Sequence, residues 1–271
     1  NFFIDDGLTL NSNFVFSLRN LGLPFSTGSI IEVRREANDD FDRFSINQLQ
    51  NGSVESFTNG RGYLTWLKNQ SSSNNLIQNT KEYQPIIVDG QGNKIQNNNK
   101  NAIYFDQTPY FLESELLIEE SYISILTAYY DNSNDEQSRP FGIAPVENFK
   151  SYGFAQASDN SLRFDGSFLS YDNIPRSFGN KIRYSEKSDT FLLDYINNEE
   201  NIYTTFDQLI TAQDGSINEF KTKGYINMGD VRKAPDKGFI GYIHEAVIWF
   251  ERKNQKRQEF FTNLNKYYNF I

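Results

Sequence analysis

A dense group of charges lies in residues 28–46, GSIIEVRREANDDFDRFSI, where two adjacent arginines are followed by four acidic residues. Carboxylate oxygens in a loop are the ligands that Ca²⁺ prefers in proteins. Asp39, Asp40 and Asp42 are therefore candidate calcium ligands. The spacing of these acids does not follow an EF-hand loop, so the charges can also have a purely structural role.

The structural alternative is an ion pair that closes a β-hairpin. Successive side chains of a strand alternate between two faces, which places Arg35 and Asp42 on the more apolar faces of two consecutive strands. A buried charge is costly unless it is paired. We expect Arg35 and Asp42 to pair across the hairpin, whereas Arg34 and the loop acids point outward.

Three polar segments, residues 89–100, 128–141 and 169–178, are rich in amides and carboxylates, and the last two also carry tyrosines. A tyrosine offers apolar area together with a polar hydroxyl, and amides and carboxylates can bond sugar hydroxyls. This composition is typical of a glycan-binding surface, although a tyrosine in a β protein more often packs in the core. The candidate ligand-binding residues are Tyr129, Tyr130, Asp131, Asn132, Tyr171, Asp172 and Asn173.

The residue inventory argues against several kinds of catalysis. The chain has no cysteine, which excludes disulfides, thiolate zinc sites and cysteine nucleophiles. Its single histidine, His244, cannot build a His-rich metal site and disfavours a Ser-His-Asp triad. Glu245 lies beside it in the strand-like run GYIHEAVIWF, and we expect Glu245 to be structural, bonded to a neighbouring backbone or basic group.

Glycoside hydrolysis needs only two carboxylates, roughly 5–10 Å apart. The sequence has 35 Asp and Glu residues, so some such pair is inevitable and its presence is uninformative. Nothing in the sequence singles out one pair. No catalytic residue is therefore assigned.

Length and charge restrict the partners. The chain has 271 residues and a net charge of −9, which disfavours non-specific attraction to nucleic acid or anionic membranes. No apolar run approaches the roughly 20 residues that span a bilayer. We expect no nucleic-acid partner and no membrane insertion. The expected partner is a glycan or a host-surface receptor, and the chain is expected to be part of a larger protein or assembly.

Period-two alternation of apolar and polar residues dominates the sequence and predicts about eleven short strands, among them residues 29–35 and 62–67. Such spacing favours an all-β, two-sheet antiparallel sandwich. Residues 251–268 instead repeat apolar residues at three- and four-residue spacing, which predicts a C-terminal amphipathic helix. Residues 110–120 fit either a short helix or a strand edge. We interpret residues 1–271 as a single domain with 1–13 as a lead-in segment.

Four runs together resemble a known family pattern: FSLRNL (16–21), GSIIEVRR (28–35), AIYFD (102–106) and GFIGYIHEAVIWF (238–250). The pattern is similar to the concanavalin A-like, or laminin-G-like, jelly rolls of phage virion and tail proteins and bacterial surface proteins. Its N-terminal part is also similar to the catalytic domains of family 54 α-L-arabinofuranosidases. The resemblance implies a concanavalin A-like jelly roll, and Ca²⁺ is the one cofactor that it suggests, since laminin-G-like folds often hold calcium.

The sequence departs from the arabinofuranosidase pattern at a central motif. Where those enzymes usually have Trp-Tyr-Asp-Gln-Ser, this chain has Leu67-Lys68-Asn69-Gln70-Ser71. The amide of Asn69 can keep a turn hydrogen bond but cannot act as an acid or base. The adjacent cysteine pair of those enzymes is also missing. Their catalytic carboxylates are therefore not carried over to this chain.

These observations favour a non-catalytic, surface-exposed binding or adhesion module that recognises glycans and belongs to a phage virion or bacterial surface protein. Such a module is extracellular, on the surface of a virion or a cell. Two alternatives stay open. One is a structural or decoration module of a larger assembly, and the other is a glycoside hydrolase that acts on an arabinan-like or capsular polysaccharide.

Overall fold

The computed structural model describes residues 11–23, 25–106, 110–120, 123–132, 137–138, 140–146, 152–153, 155–157, 162–164, 167–169, 179–186, 191–196, 199–204, 222–229, 239–251 and 253–270. Most of the regular structure in these ranges is antiparallel β-sheet, and helices are few and short. The chain is therefore an all-β protein, as the alternation predicts.

The strands and helices have the following bounds. In chain order the strands are β1 Phe14–Ser17, β2 Ser29–Arg35, β3 Phe41–Ser45, β4 Gly62–Leu67, β5 Leu76–Ile77, β6 Ile86–Val88, β7 Gln96–Asn97, β8 Lys100–Asn101, β9 Ile103–Phe105, β10 Leu112–Ser114, β11 Ile118–Glu120, β12 Ser124–Asp131, β13 Gln137–Ser138, β14 Phe141–Pro145, β15 Tyr152–Gly153, β16 Ala155–Ala157, β17 Leu162–Phe164, β18 Ser167–Leu169, β19 Gly179–Glu186, β20 Phe191–Ile196, β21 Glu199–Thr204, β22 Thr222–Met228 and β23 Gly241–Trp249. The α-helices are α1 Ile46–Gln50, α2 Ser53–Thr58 and α3 Arg257–Tyr268, and 3₁₀ turns lie at Lys81–Tyr83 and Asn254–Lys256.

Two short helices, α1 and α2, follow β3 where the sequence predicts no helix. Ser45 caps α1, because its hydroxyl accepts from the Gln48 backbone N–H while the Gln48 side chain accepts from the Ser45 backbone N–H. This reciprocal pair is a capping box, which satisfies two otherwise unpaired donors at a helix start. The ambiguous residues 110–120 form strands β10 and β11 and no helix.

One large antiparallel sheet carries most of the strands and curls back on itself. Strand β23 lies between β12 on one side and β1 and β9 on the other. From β9 the sheet continues through β6 to β4, which pairs with β2 and β5. From β5 it continues through β10 to β22 and β14. The strands on the two sides of β6 thereby enclose a common core.

Apolar side chains from the two halves of the curled sheet, β2 and β4 in one half and β12 and β23 in the other, meet in the main core. Val33 and Leu64 come from one half, and Ile125 and Ile243 come from the other, and each is at most 1% exposed. Burial of such side chains contributes roughly 1.5–3 kcal/mol each. The face of the sheet that points away from this core is called the outer face.

Helix α3 covers one end of the outer face. Phe260, Leu264 and Tyr268 follow each other at four-residue spacing, so they share one side of the helix and are buried against the sheet. The Phe260 ring stacks on the ring of Trp249, with centroids 4.8 Å apart. The helix occupies 12 residues within the segment 251–268. Among the described residues, none of the helices has the length and apolar character needed to cross a membrane.

A β-bulge interrupts β23 at His244. Tyr129 of β12 pairs with Ile243, but the residue before Tyr129 pairs with Glu245, so His244 is an extra residue in its strand. A bulge shifts the alternation of side chains between the two faces. Beyond the bulge Ile243 points into the core, and its neighbour Tyr242 lies on the outer face.

Candidate functional site

Three tyrosines lie side by side on the outer face, beyond the end of α3. Tyr104 of β9 pairs with Tyr242 of β23, and Tyr242 pairs with Tyr130 of β12. Directly opposed residues on neighbouring strands project their side chains from the same face, about 5 Å apart. All three side chains are half-buried. Tyr104, Tyr242 and Tyr130 are called the tyrosine row.

The local sequence explains why these tyrosines point away from the core. Tyr104 lies between two buried core residues of β9, and Tyr130 follows the core residue Tyr129, so alternation turns both outward. Tyr242 reaches the same face only because of the bulge at His244. The row therefore depends on strand pairing as well as on the pattern of each strand.

The rings of the tyrosine row contact each other. The Tyr104 and Tyr242 rings are stacked, with centroids 4.7 Å apart and an interplanar angle of 21°. The Tyr130 ring lies 5.9 Å from the Tyr242 ring and is turned by 70° relative to it. The stacked rings of Tyr104 and Tyr242 present their edges and hydroxyls. The Tyr130 ring, which is turned relative to Tyr242, can offer its face to a ligand. Contacts of these two kinds contribute about 0.5–1.5 kcal/mol each, so the rings are held in place without a ligand.

The hydroxyls of the row are partly desolvated. Burial, and then the neighbouring Tyr242 and Asp106, raise the pKa of Tyr104. Burial, and then Tyr130, raise the pKa of Tyr242. Both hydroxyls therefore keep their protons at neutral pH, where each can donate one hydrogen bond and accept others.

Two charged side chains, Asp106 and Arg61, lie at the Tyr104 end of the row. Burial raises the pKa of the Asp106 carboxyl, and the nearby Arg61 guanidinium partly offsets this shift. Asp106 Oδ1 and Arg61 Nε are both buried, and neither has a hydrogen-bond partner among the described residues. Both side chains are half-buried, and the accessible part of each can form a hydrogen bond with a ligand hydroxyl.

The structure separates the tyrosines and the acid that the sequence grouped as ligand-binding residues. Tyr130 belongs to the tyrosine row, whereas Tyr129 points into the core and is 1% exposed. Asp131 is buried and forms an ion pair with Lys181 at 3.3 Å. Tyr129 and Asp131 are therefore inaccessible to a ligand, and Tyr130 is accessible in part.

The remaining predicted ligand-binding residues lie elsewhere. Asn132 is exposed, and its backbone N–H donates to a backbone carbonyl just before β23. Tyr171, Asp172 and Asn173 lie outside the described residues. Sequence reasoning missed Tyr104 and Tyr242, and their only signal is a tyrosine in each of the runs AIYFD and GYIHE, which are far apart in sequence.

The structure corrects the ion pair predicted for the arginine hairpin. Asp42 is exposed and is not paired with Arg35. Arg35 instead lies over the Phe57 ring of α2, 4.5 Å from its centroid. Arg34 is the buried arginine, and it pairs with Asp39 at 2.8 Å. The sequence did not predict helix α2, and its Phe57 ring gives Arg35 an apolar surface to pack on. The tight turn after β2 brings Asp39 within hydrogen-bond distance of Arg34.

The loop acids are engaged in hydrogen bonds and do not converge on one point. Hydrogen bonds from Lys81 and then from Arg34 lower the pKa of Asp39, and Asp40 accepts from a neighbouring asparagine side chain. Asp42 bonds the next backbone N–H. Within the described ranges, no group of three or more His, Asp or Glu side chains is arranged to hold a metal. Calcium binding therefore stays a prediction, and Asp39, Asp40 and Asp42 do not form a set of calcium ligands in this loop.

Glu245 lies at the centre of a buried network between the sheet and α3. Its carboxylate accepts from Arg19 Nε at 2.6 Å and from Arg19 Nη2 at 2.9 Å. The Ser17 hydroxyl donates to it at 2.8 Å and the Tyr268 hydroxyl at 3.0 Å. The side chains of Arg19 and Glu245 are each 2% exposed. All of these contacts tie β1, β23 and α3 together, and none of them leaves Glu245 open to a substrate.

Asn69, which stands where the arabinofuranosidases have an aspartate, is fully buried. Its Oδ1 accepts from the backbone N–H of Val15 at 2.9 Å and of Ser71 at 3.0 Å, and its Nδ2 donates to the Ser72 hydroxyl at 2.6 Å. These bonds close the loop after β4 and attach it to β1. The position therefore supports the loop.

Replacing Asn69 by alanine is expected to lower the free energy of unfolding by about 1–2 kcal/mol, because two backbone N–H groups lose their acceptor. Urea denaturation followed by circular dichroism measures this change. Asn38→Ala, which removes an exposed loop amide, is the matched control and should change stability by less than about 0.5 kcal/mol. Equal effects for the two variants would contradict the assigned role of Asn69.

Comparison with solved structures relates the fold to that of arabinofuranosidases. An arabinofuranosidase complexed with arabinofuranosyl-α-1,2-xylobiose is similar with a TM-score of 0.64 and 10% identity, over 93% of this chain and 62% of that chain. A mutant of a family 54 α-L-arabinofuranosidase soaked with 4-nitrophenyl α-L-arabinofuranoside gives a TM-score of 0.65 and 10% identity over the same shares. The chain thus spans less than two thirds of the length of these enzymes.

Sequence comparison adds no relative. No protein-family model and no curated protein sequence matches the chain. At 10% identity the likeness concerns the fold, and one fold hosts many activities. The comparisons establish an all-β fold shared with these arabinofuranosidases.

Proposed function

We propose that this protein is a non-catalytic carbohydrate-binding domain and that the tyrosine row is its sugar site. The observation that carries the proposal is the contact of Tyr104, Tyr242 and Tyr130 across three adjacent strands on an outer face. A single half-buried tyrosine is common in a sheet. Three in contact form a continuous surface of ring carbons and hydroxyls, held in one arrangement before a ligand arrives.

The chemistry of the row matches that of a sugar ring. A sugar has apolar C–H groups and hydroxyls that donate and accept hydrogen bonds, and a tyrosine offers apolar area and a hydroxyl. The half-buried carboxyl of Asp106 lies at the Tyr104 end of the row, where its accessible part can accept a hydrogen bond from a sugar hydroxyl.

The likeness in fold supports a ligand of the same class. One of the two arabinofuranosidases is complexed with an arabinofuranosyl xylobiose and the other was soaked with an arabinofuranoside, and we propose that this chain also takes a saccharide. We further propose that the curled sheet is a concanavalin A-like jelly roll. The proposed setting is the surface of a phage virion or bacterial cell, where the domain serves adhesion as one part of a larger protein.

One pair of carboxylates, on strands β2 and β10, lies too far apart to act together in glycoside hydrolysis. Glu32 and Glu113 lie on one face, separated by Trp66 of β4 and Ile77 of β5. Three inter-strand steps correspond to about 14 Å, whereas glycosidases hold their two carboxylates roughly 5–10 Å apart. Glu32 is also bonded to an arginine of β3 at 2.9 Å.

Tyr242→Ala is expected to weaken glycan binding at least about tenfold, equivalent to ~1.4 kcal/mol, because Tyr242 contacts both other rings of the row. A glycan array with the purified chain identifies the ligand, and titration calorimetry then measures its affinity for each variant. Tyr242→Phe, which keeps the ring, should lose less.

The matched control is Tyr225→Ala, which removes a half-buried tyrosine on β22, away from the row. It should leave the affinity unchanged. Thermal unfolding checks that each variant is folded. A glycan that binds Tyr242→Ala and the parent chain equally would place the sugar elsewhere, and an array without any bound glycan would remove the proposed function.

A further inference from the structure

We infer that the sugar site is longer than the tyrosine row and takes an uncharged polysaccharide chain that lies across the strands. This inference rests on the proposed function and names its ligand class. It follows from the side chains that continue the row around the curl of the sheet, from the distance they cover and from the balance of their charges.

Cross-strand pairing continues the row beyond Tyr104. Tyr104 is paired with Ile86 of β6, Ile86 with Tyr63 of β4, and Tyr63 with Arg34 of β2. Ile86 is 3% exposed and lies between two half-buried tyrosines. The paired positions of six neighbouring strands therefore form one line across the sheet, in which the core residue Ile86 separates Tyr63 from the tyrosine row.

Side-chain contacts hold this extension in place. The Arg34 guanidinium lies over the Tyr63 ring, 4.6 Å from its centroid, and its Nε donates to a buried glutamine at 2.7 Å. The Tyr63 hydroxyl donates to Glu36 at 3.0 Å, and it raises the pKa of the neighbouring Arg61. Arg61 also acts on Asp106. The corner between Tyr63 and Tyr104 is thus flanked by polar groups that can bond hydroxyls.

The length of the line argues for a chain of sugars. From Tyr130 on β12 to Arg34 on β2 the line crosses five inter-strand steps, which is about 24 Å along the sheet. A single sugar ring covers only a small part of this length. Each further ring of a polysaccharide laid along the line gains its own contacts, so affinity should rise with chain length.

The charges beside the line argue for an uncharged chain. Arg34 and Lys81 share Asp39, and Glu36 and Asp106 act on Arg61. Each of these three cations thus has a carboxylate next to it. The carboxylates of a carboxylated polysaccharide would be repelled by these acidic side chains, and the neighbouring cations do not provide an excess of positive charge that offsets the repulsion. Such like-charge contacts oppose binding.

The test measures affinity against chain length for neutral oligosaccharides of the array-selected type, from disaccharide to hexasaccharide, and for a carboxylated chain of equal length. The hexasaccharide should bind at least about tenfold more tightly than the disaccharide. Tyr63→Ala should abolish most of this gain, whereas Tyr242→Ala should weaken the binding of the disaccharide and of the hexasaccharide. The carboxylated chain should bind more weakly than the neutral one.

Tyr63→Leu, which keeps apolar cover over Ile86, is a second variant if Tyr63→Ala is poorly folded, and Tyr225→Ala is again the control. Equal affinity for short and long chains, or a gain that both Tyr63 variants retain, would overturn the inference while leaving glycan binding intact. Tighter binding of the carboxylated chain would overturn the uncharged ligand. Absence of binding to every saccharide would instead refute the proposed function.

Discussion

Replacing Glu245 by alanine is expected to lower the free energy of unfolding by about 3–5 kcal/mol, which is the usual cost of breaking a buried ion pair from one side. The variant leaves the Arg19 charge 2% exposed to water and without its carboxylate. It also removes the acceptor of the Ser17 and Tyr268 hydroxyls. Chemical denaturation, with unfolding followed by tryptophan fluorescence and circular dichroism, measures the loss.

Two further variants make this prediction specific. The double variant Arg19→Leu, Glu245→Leu should lose less stability than Glu245→Ala, because removing both charges leaves neither one buried and unpaired. Glu259→Ala, at an exposed position of α3, is the control and should stay within about 0.5 kcal/mol of the parent. A loss below about 1 kcal/mol for Glu245→Ala would show that the network is not the main tie between α3 and the sheet.

Acidification is expected to destabilise the protein through its single histidine, by about 2–3 kcal/mol between about pH 7.5 and about pH 4.5. Burial lowers the pKa of His244 from 6.5 to about 3, and its ring packs against the rings of Tyr268 and Phe270. Below pH 6.5 the unfolded chain takes up a proton that the folded chain excludes. The stability contributed by the neutral ring is therefore complete above pH 6.5 and is lost as the pH falls toward 3.

The free energy of unfolding of the parent and of His244→Phe, measured over this pH range, tests the prediction. The variant should lose much of the pH dependence, whatever its stability at neutral pH. Asp106→Asn is an opposite control, since burial raises the Asp106 pKa and its protonation favours the folded state. Removing that carboxyl should steepen the loss in acid. An unchanged pH dependence in His244→Phe would contradict the assignment.

The strands could be predicted because short apolar runs between turn residues mark them even where strict alternation fails. Residues 29–35 and 62–67 coincide with β2 and β4, although an irregularity in their pairing leaves Leu64 and Leu67, three residues apart, in the same core. Helices α1 and α2 could not be predicted in the same way, since each has at most six residues and little periodicity. Missing them led to the wrong partner for Arg35.

The tyrosine row could not be read from the sequence, because it is a property of pairing. Tyr104, Tyr130 and Tyr242 become neighbours only when β9, β23 and β12 lie side by side. Strict alternation from Glu245 places Tyr242 on the core face, and only the extra residue His244 turns it outward. One bulge thus decides whether the row exists.

The position of β23 has a consequence for the order of events during synthesis. The last strand of the described chain pairs with the first, Ser17 with Glu245 among others, and also fills the gap between β12 and β9. Such contacts between distant parts of a sequence slow folding. The apolar faces of the earlier strands stay uncovered until residue 249 has left the ribosome, so aggregation competes with folding while these residues are being synthesised.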